Sequence, residues 1–303
     1  HNGHHRNEGA DRLAAVGAEL AETPIPLEAN PRYKQTGASL AGMTQKLAYR
    51  AIRKRKERDA QPRRATQESL TKIVEGVKSA CGTEPTEVSV WKALSKPHVS
   101  RECRQFLWKA IHDAFMIGNK WQRPTMSPAL RERAICKLCG CLEDMNHILF
   151  ACSAEERGMA WDLMESLWRS TGEDWCAPGW GTILGAPCVT FSAPDGSRKH
   201  IVEARWTILA TETAYMIWKL RCERGIQAEG KRYTAPEAAN RWRKTIDDRL
   251  KIDRRMTAKS LGKNALQEAE VDAIWRPMLH DSTVLPTDWV QNNGVLVGIR
   301  RDV

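Results

Sequence analysis

The sequence predicts a mainly α-helical protein, and three observations carry that prediction. Apolar residues recur at helical spacing through most of the 303 residues. Gly- and Pro-bearing stretches fall between the periodic segments, at 23–37 and 171–198. A capping box, Thr234-Ala-Pro-Glu237, opens one of the longest periodic segments, with its Pro in the first turn.

The elements follow in order. Residues 7–21 place Leu13, Val16 and Leu20 on one face, weakened by Gly17, since glycine inside a helix costs about 1 kcal/mol against alanine. Three prolines make 23–37 a linker or strap. Helices are expected over 39–58, 66–80, 89–94 and 99–118, then a Pro- and Arg-bearing loop at 121–134. A cysteine cluster comes next, followed by a helix ending at 164–168 and an irregular connection over 171–198. Residues 202–220 form a strong helix whose stripe is Val202, Trp206, Leu209, Thr213, Ile217 and Leu220. The capped helix should run to about Arg255, and another spans roughly 265–279. The tail, 285–301, reads as a turn and a short strand-like run. No fixed-period repeat or low-complexity segment is visible.

Composition narrows the classes. Hydrophobic residues at 42% and charged residues at 28% describe a globular chain, long enough for two or three modest domains. Twelve Trp beside four Tyr and four Phe predict a core built on a few large indoles. No apolar run is long enough to span a bilayer: the nearest, 206–220, is broken by Thr207, Thr211, Glu212 and Thr213. Nothing at the start reads as a secretory signal. Nine Cys is an odd number, and four crowd between Cys136 and Cys152, which suits a metal in a reducing, intracellular compartment better than a disulfide framework. No nucleophilic triad, phosphate loop or dinucleotide fingerprint appears, so no small-molecule substrate is evident.

The stretch CKLCGCLEDMNHILFAC contains Cys136, Cys139, His147 and Cys152 at C-x2-C-x7-H-x4-C spacing. Two thiolates three residues apart fit a tight knuckle, and Gly140 tolerates the backbone it needs. Four soft or borderline ligands with no open position describe structural zinc, which contributes on the order of 10 kcal/mol to folding. Cys141 is a spare thiol that competes with Cys139 as ligand. The alternative is a set of buried or unpaired cysteines without metal.

Residues 49–65 hold Arg50, Arg53, Lys54, Arg55, Lys56, Arg58, Arg63 and Arg64 against Glu57 and Asp59. Eight cations less two acids is more than half of the chain's net +10. Arg53, Lys54, Arg55, Lys56, Arg63 and Arg64 are the candidate phosphate contacts, and nucleic acid is the partner such a cluster fits. A solvated helix face, or a nuclear-import signal, reads the same residues equally well.

The opening, HNGHHRNEGADRLAAVGAELA, carries, with the cysteine module, the most specific pattern. His1-x-Gly3 followed by Asn7-Glu8-x-Ala10-Asp11 resembles the closing signature of type 1 ribonuclease H domains, where a His-bearing loop leads into the last helix and that helix presents the fourth acidic ligand of a two-metal site. The resemblance implies that His1 is the loop histidine and Asp11 a magnesium-binding carboxylate. Arg6 departs from the usual Gly. A tag remnant before an ordinary helix is the competing reading, but it does not supply NEGAD at this spacing. Further on, Trp91, Phe106, Trp108, Gly118, Trp121, Arg133 and the four Cys/His ligands stand in the order of the zinc-binding module that follows reverse transcriptase and ribonuclease H in LINE-type retrotransposon proteins. Segments 217–227, 249–255 and 285–299 look like tails of retrotransposon-derived proteins of mushroom-forming fungi.

The resemblance implies a ribonuclease H remnant at 1–22, a linker and basic region at 23–86, the zinc module at 87–170 and a helical region at 171–303. It also implies a role in retrotransposition. Catalysis by two Mg²⁺ needs a carboxylate cage, and in that family three of the four carboxylates precede the His loop. His1 and Asp11 are therefore expected to be vestigial, with magnesium relevant only when the rest of the domain is supplied. The later pairs Glu143/Asp144, Glu155/Glu156 and Asp247/Asp248 are adjacent, and adjacent helical side chains diverge by about 100°, so no pair makes a cage alone. Three functions remain: an enzyme fragment, a zinc-stapled nucleic-acid-binding module, and an inert remnant.

Overall fold

The computed structural model describes residues 5–19, 42–227, 232–292 and 294–301. The expected α class is met: the described residues carry no sheet, only isolated bridges. The chain divides into two compact units, His1–Gln61 and Pro62–Val303.

The first unit contains α1 (His5–Glu19) and α2 (Gln45–Asp59). Thr44 opens α2, its hydroxyl accepting the Leu47 N–H at 3.2 Å. On α1, Leu13 is 74% exposed and Val16 52%, and Leu20, the third residue of the expected stripe, lies outside the described residues. The linker expected at 23–37 lies outside the described residues.

The second unit begins with α3 (Arg64–Cys81), α4 (Glu87–Ala93), α5 (Arg101–Ile111) and the single turn α6 (Pro128–Arg131). It continues through α7 (Glu155–Arg169), α8 (Trp180–Leu184), α9 (His200–Cys222), α10 (Ala235–Arg255) and α11 (Glu268–Trp275). One hydrophobic cluster runs from Leu70 to Ile299, so residues of the expected regions 23–86, 87–170 and 171–303 share a core.

The helix expected over 99–118 stops at Ile111. Asp113 takes φ +45°, the Ala114 N–H reaches back to the Lys109 carbonyl at 2.8 Å, and the chain turns away. The segment expected to be irregular contains a buried turn of helix, α8. It forms where Gly181 lies against Gly76 of α3: a Cβ on Gly181 would stand 2.5 Å from the Gly76 Cα. The final helix is shorter than expected, because Pro277 follows α11 within a tighter turn, Arg276–Met278.

The stripe expected on α9 is buried, but so is nearly every other face, including Glu203, Arg205, Thr207, Thr211, Glu212 and Arg221. This helix is central, packed by α5, α7, α8, α10 and α11. Its polar side chains are bonded: Arg205 donates to the Ile274 and Ala273 carbonyls at 2.9 and 3.0 Å, and Thr211 to Thr207 at 2.8 Å. The indoles carry the core as expected. Trp168, Trp206, Trp242, Trp275 and Trp289 are fully buried, and each N–H finds an acceptor. The tail folds back, with Leu279 bridging Ile299. Arg254 of α10 clamps it by donating to the carbonyls of Trp289, Val290, Asn292 and Val295. No helix among the described residues is long and apolar enough to cross a membrane.

Candidate metal centre

The four predicted ligands come together. The ligand atoms of Cys136, Cys139, His147 and Cys152 all lie within 4.8 Å of one another, and the cluster can hold a metal ion. The Cys152 sulfur is 3.8 Å from that of Cys136 and 3.7 Å from that of Cys139. Cys136, His147 and Cys152 are buried, and Cys139 is half-buried.

Local chemistry builds this. The Cys136 N–H donates to the Cys141 carbonyl and the Gly140 N–H to the Cys136 carbonyl, both at 2.8 Å. Gly140 at φ +67° makes that reversal, a conformation L side chains avoid. Ile135 bridges Leu142 across the turn. Asp144 then receives the His147 N–H at 2.6 Å. From His147 to Ala151 the helix widens, closing with the Cys152 N–H on the His147 carbonyl at 2.7 Å. That i→i+5 step is a rare geometry that recurs at functional sites. Here it brings the histidine and the last cysteine to the same side.

Ser153 is a contributor the sequence reading missed. Its N–H donates to the Cys139 sulfur at 3.2 Å and its hydroxyl lies 3.1 Å from it. These bonds favour the thiolate and draw Cys139 down to about 7. Burial pushes Cys152 up to about 12. A small polar residue directly after the last cysteine was the available signal. Cys141 stays outside the four, exposed, with its sulfur 3.4 Å from His147 Nδ1. It neighbours the histidine, whereas the sequence reading had it competing with Cys139. None of the nine cysteines forms a disulfide.

The knuckle has almost no apolar core of its own, only Cys136, Cys152 and Ala154 with Leu138 and Cys139 against them. It is tied to α9 by a buried pair, Glu143 with Arg221, and beside it Glu156 of α7 pairs with Arg224, just after α9. Gly118, at φ +52°, lets the chain pass the knuckle: a Cβ there would stand 2.0 Å from the Glu143 carbonyl oxygen.

The remaining predicted residues lie elsewhere. His1 lies outside the described residues. Asp11 is exposed on α1 and belongs to no group of potential metal ligands among the described residues. The adjacent acidic residues are mostly spoken for structurally: Glu143, Asp144 and Glu156 as above, Asp247 on the Ile299 N–H at 2.9 Å, and Asp248 on Lys244 and Lys251. Arg53, Lys54, Arg55 and Lys56 are exposed on α2, where Arg53 pairs with Glu57 at 2.6 Å. Arg63 and Arg64 stand at the start of α3 in the second unit, and Arg64 meets Glu68 at 2.8 Å. Comparison with protein-family models, curated proteins and solved structures finds no match to this chain.

Proposed function

We propose that this chain is a zinc-stapled nucleic-acid-binding segment of a retroelement protein, with no nuclease activity of its own. The observation that carries the zinc reading is metric. A tetrahedron with Zn–S bonds of about 2.3 Å has sulfur–sulfur edges of about 3.8 Å. The two edges at Cys152 measure 3.8 and 3.7 Å. Three thiolates and an imidazole leave no open position, so the metal organises the fold and takes no part in catalysis. Support for nucleic acid comes from charge. Lys54, Arg55 and Lys56 are exposed and in no ion pair among the described residues. The retroelement and ribonuclease H origin rests on the sequence resemblance, as does the vestigial reading of Asp11, which belongs to no group of potential metal ligands among the described residues.

Elemental analysis of the purified chain is expected to find one zinc per molecule, and chelation to lower its melting temperature. Binding to single-stranded RNA should weaken steeply from roughly 50 to 200 mM salt. Neutralising Lys54, Arg55 and Lys56 to Gln should flatten the log–log salt slope by about 2, at about 0.7 per lost phosphate contact. An RNA–DNA hybrid with Mg²⁺ should stay intact, and Asp11→Asn should change nothing. A chain without zinc, with a salt-independent response, would be an inert remnant. Cleavage abolished by Asp11→Asn would make it a nuclease.

A further inference from the structure

A cleft of about 190 Å³ opens between the metal knuckle and the end of α9. Its walls include Trp121, Glu132, Arg133, Lys137, Arg221 and Arg224. This volume is below the roughly 300–1,000 Å³ of small-molecule sites, so it suits one unit of a longer chain. Four cations face it against Glu132 and Glu143, and two of the four are already committed. Arg221 is bonded to Glu143 and Arg224 to Glu156. Arg133 and Lys137 are exposed and have no acidic partner among the described residues.

Trp121 is held still by its own N–H, which donates to the Met116 carbonyl at 2.7 Å. The Arg133 guanidinium lies over that indole, 5.6 Å from the ring centre. A planar cation backed by a fixed indole is a platform for a flat, unpaired base. Lys137 sits within the C-x2-C turn, next to Cys136, which itself lines the cleft. A metal bound at the knuckle therefore fixes the backbone that carries Lys137.

We propose that this cleft takes one nucleotide of a single-stranded nucleic acid, with the base stacked on Arg133 over Trp121 and the adjoining phosphate on Lys137. This rests on the nucleic-acid-binding reading above and names the site. Stacking one base on such a platform is worth about 1–3 kcal/mol, or roughly 5- to 150-fold in affinity. A duplex, whose bases are paired, gains nothing from the stack.

The experiment measures binding of short single-stranded RNA, single-stranded DNA and duplex DNA to the full zinc-loaded chain and to Arg133→Ala, Lys137→Ala and Arg133→Lys. Zinc content and melting temperature of each variant report the fold. Arg133→Ala is expected to weaken single-strand binding about tenfold and leave the duplex unchanged. Arg133→Lys, which keeps the charge and loses the plane, should stay weak, and an abasic oligomer should erase its difference from the original chain. The single strand whose affinity falls further identifies RNA or DNA as the source. Variants that keep their zinc and bind single strands like the original chain overturn the cleft assignment. If the Lys54/Arg55/Lys56 variant meanwhile loses binding, the broader reading survives. An original chain that binds no nucleic acid overturns both.

Discussion

Arg249 of α10 offers the sharpest test of how the second unit is held. Its Nε is 2.8 Å from Asp253 Oδ1 and one terminal nitrogen is 3.1 Å from Glu212 Oε1 of α9. Asp253 also accepts the Trp275 N–H at 3.0 Å, which brings α11 into the same network. The three side chains are 4, 5 and 10% exposed. Burial opposes the charge on Arg249, but Asp253 and Glu212 outweigh it and raise its pKa above the ordinary value. Arg249→Met keeps an unbranched apolar stem, removes the guanidinium and strands two carboxylates in the interior. Breaking a buried pair by removing one partner costs about 3–5 kcal/mol. At about 2–4 °C per kcal/mol for a unit of this size, melting should fall by roughly 6–20 °C. The assay is thermal unfolding by far-ultraviolet circular dichroism, with urea titration to check that m is unchanged. The triple variant Arg249→Met/Glu212→Gln/Asp253→Asn should recover part of the loss, because no charge is left unpaired. A drop below about 2 °C in the single variant would refute the reasoning. A triple variant no better than the single would assign the loss to packing.

Other outcomes follow from the same structure. Gly181→Ala drives a methyl to 2.5 Å from the Gly76 Cα, backbone against backbone, and should cost about 1–3 kcal/mol in urea unfolding. Thr234→Ala removes the oxygen that accepts the Glu237 N–H at 3.3 Å and should cost about 1 kcal/mol by the same measurement. His98 has its pKa lowered by burial, against the pull of Glu270 at 3.4 Å, with Asp253 also raising it and Arg249 and Lys96 lowering it. Its folded value lies below the unfolded 6.5, so its contribution is full above about pH 6.5 and is lost as pH falls through the folded value. His98→Gln should therefore lose less stability than the original chain between about pH 7 and 5, read as the difference between two melting series.

Much of this architecture was legible from residue order alone, because periodicity and end signals act locally. The 202–220 segment, the cap at Thr234 and the C-x2-C-x7-H-x4-C ligands each depend on neighbours within a few turns, and each appears where spacing puts it. The indole-rich core was legible too, since a chain with twelve Trp buries most of that large apolar area. Tertiary contacts decided the rest. Whether α9 carries one buried stripe or is enclosed on nearly every face depends on helices far away in the chain. Whether Gly-Trp-Gly at 179–181 is a loop or a helical turn depends on Gly76, about a hundred residues upstream. Arg221 meets Glu143, and Lys137 shares a cleft with Trp121, only after the chain has closed. Local spacing sets which backbone hydrogen bonds each segment can form, whereas partners for buried charge and close glycine contacts exist only once distant segments meet, and no local signal encodes them.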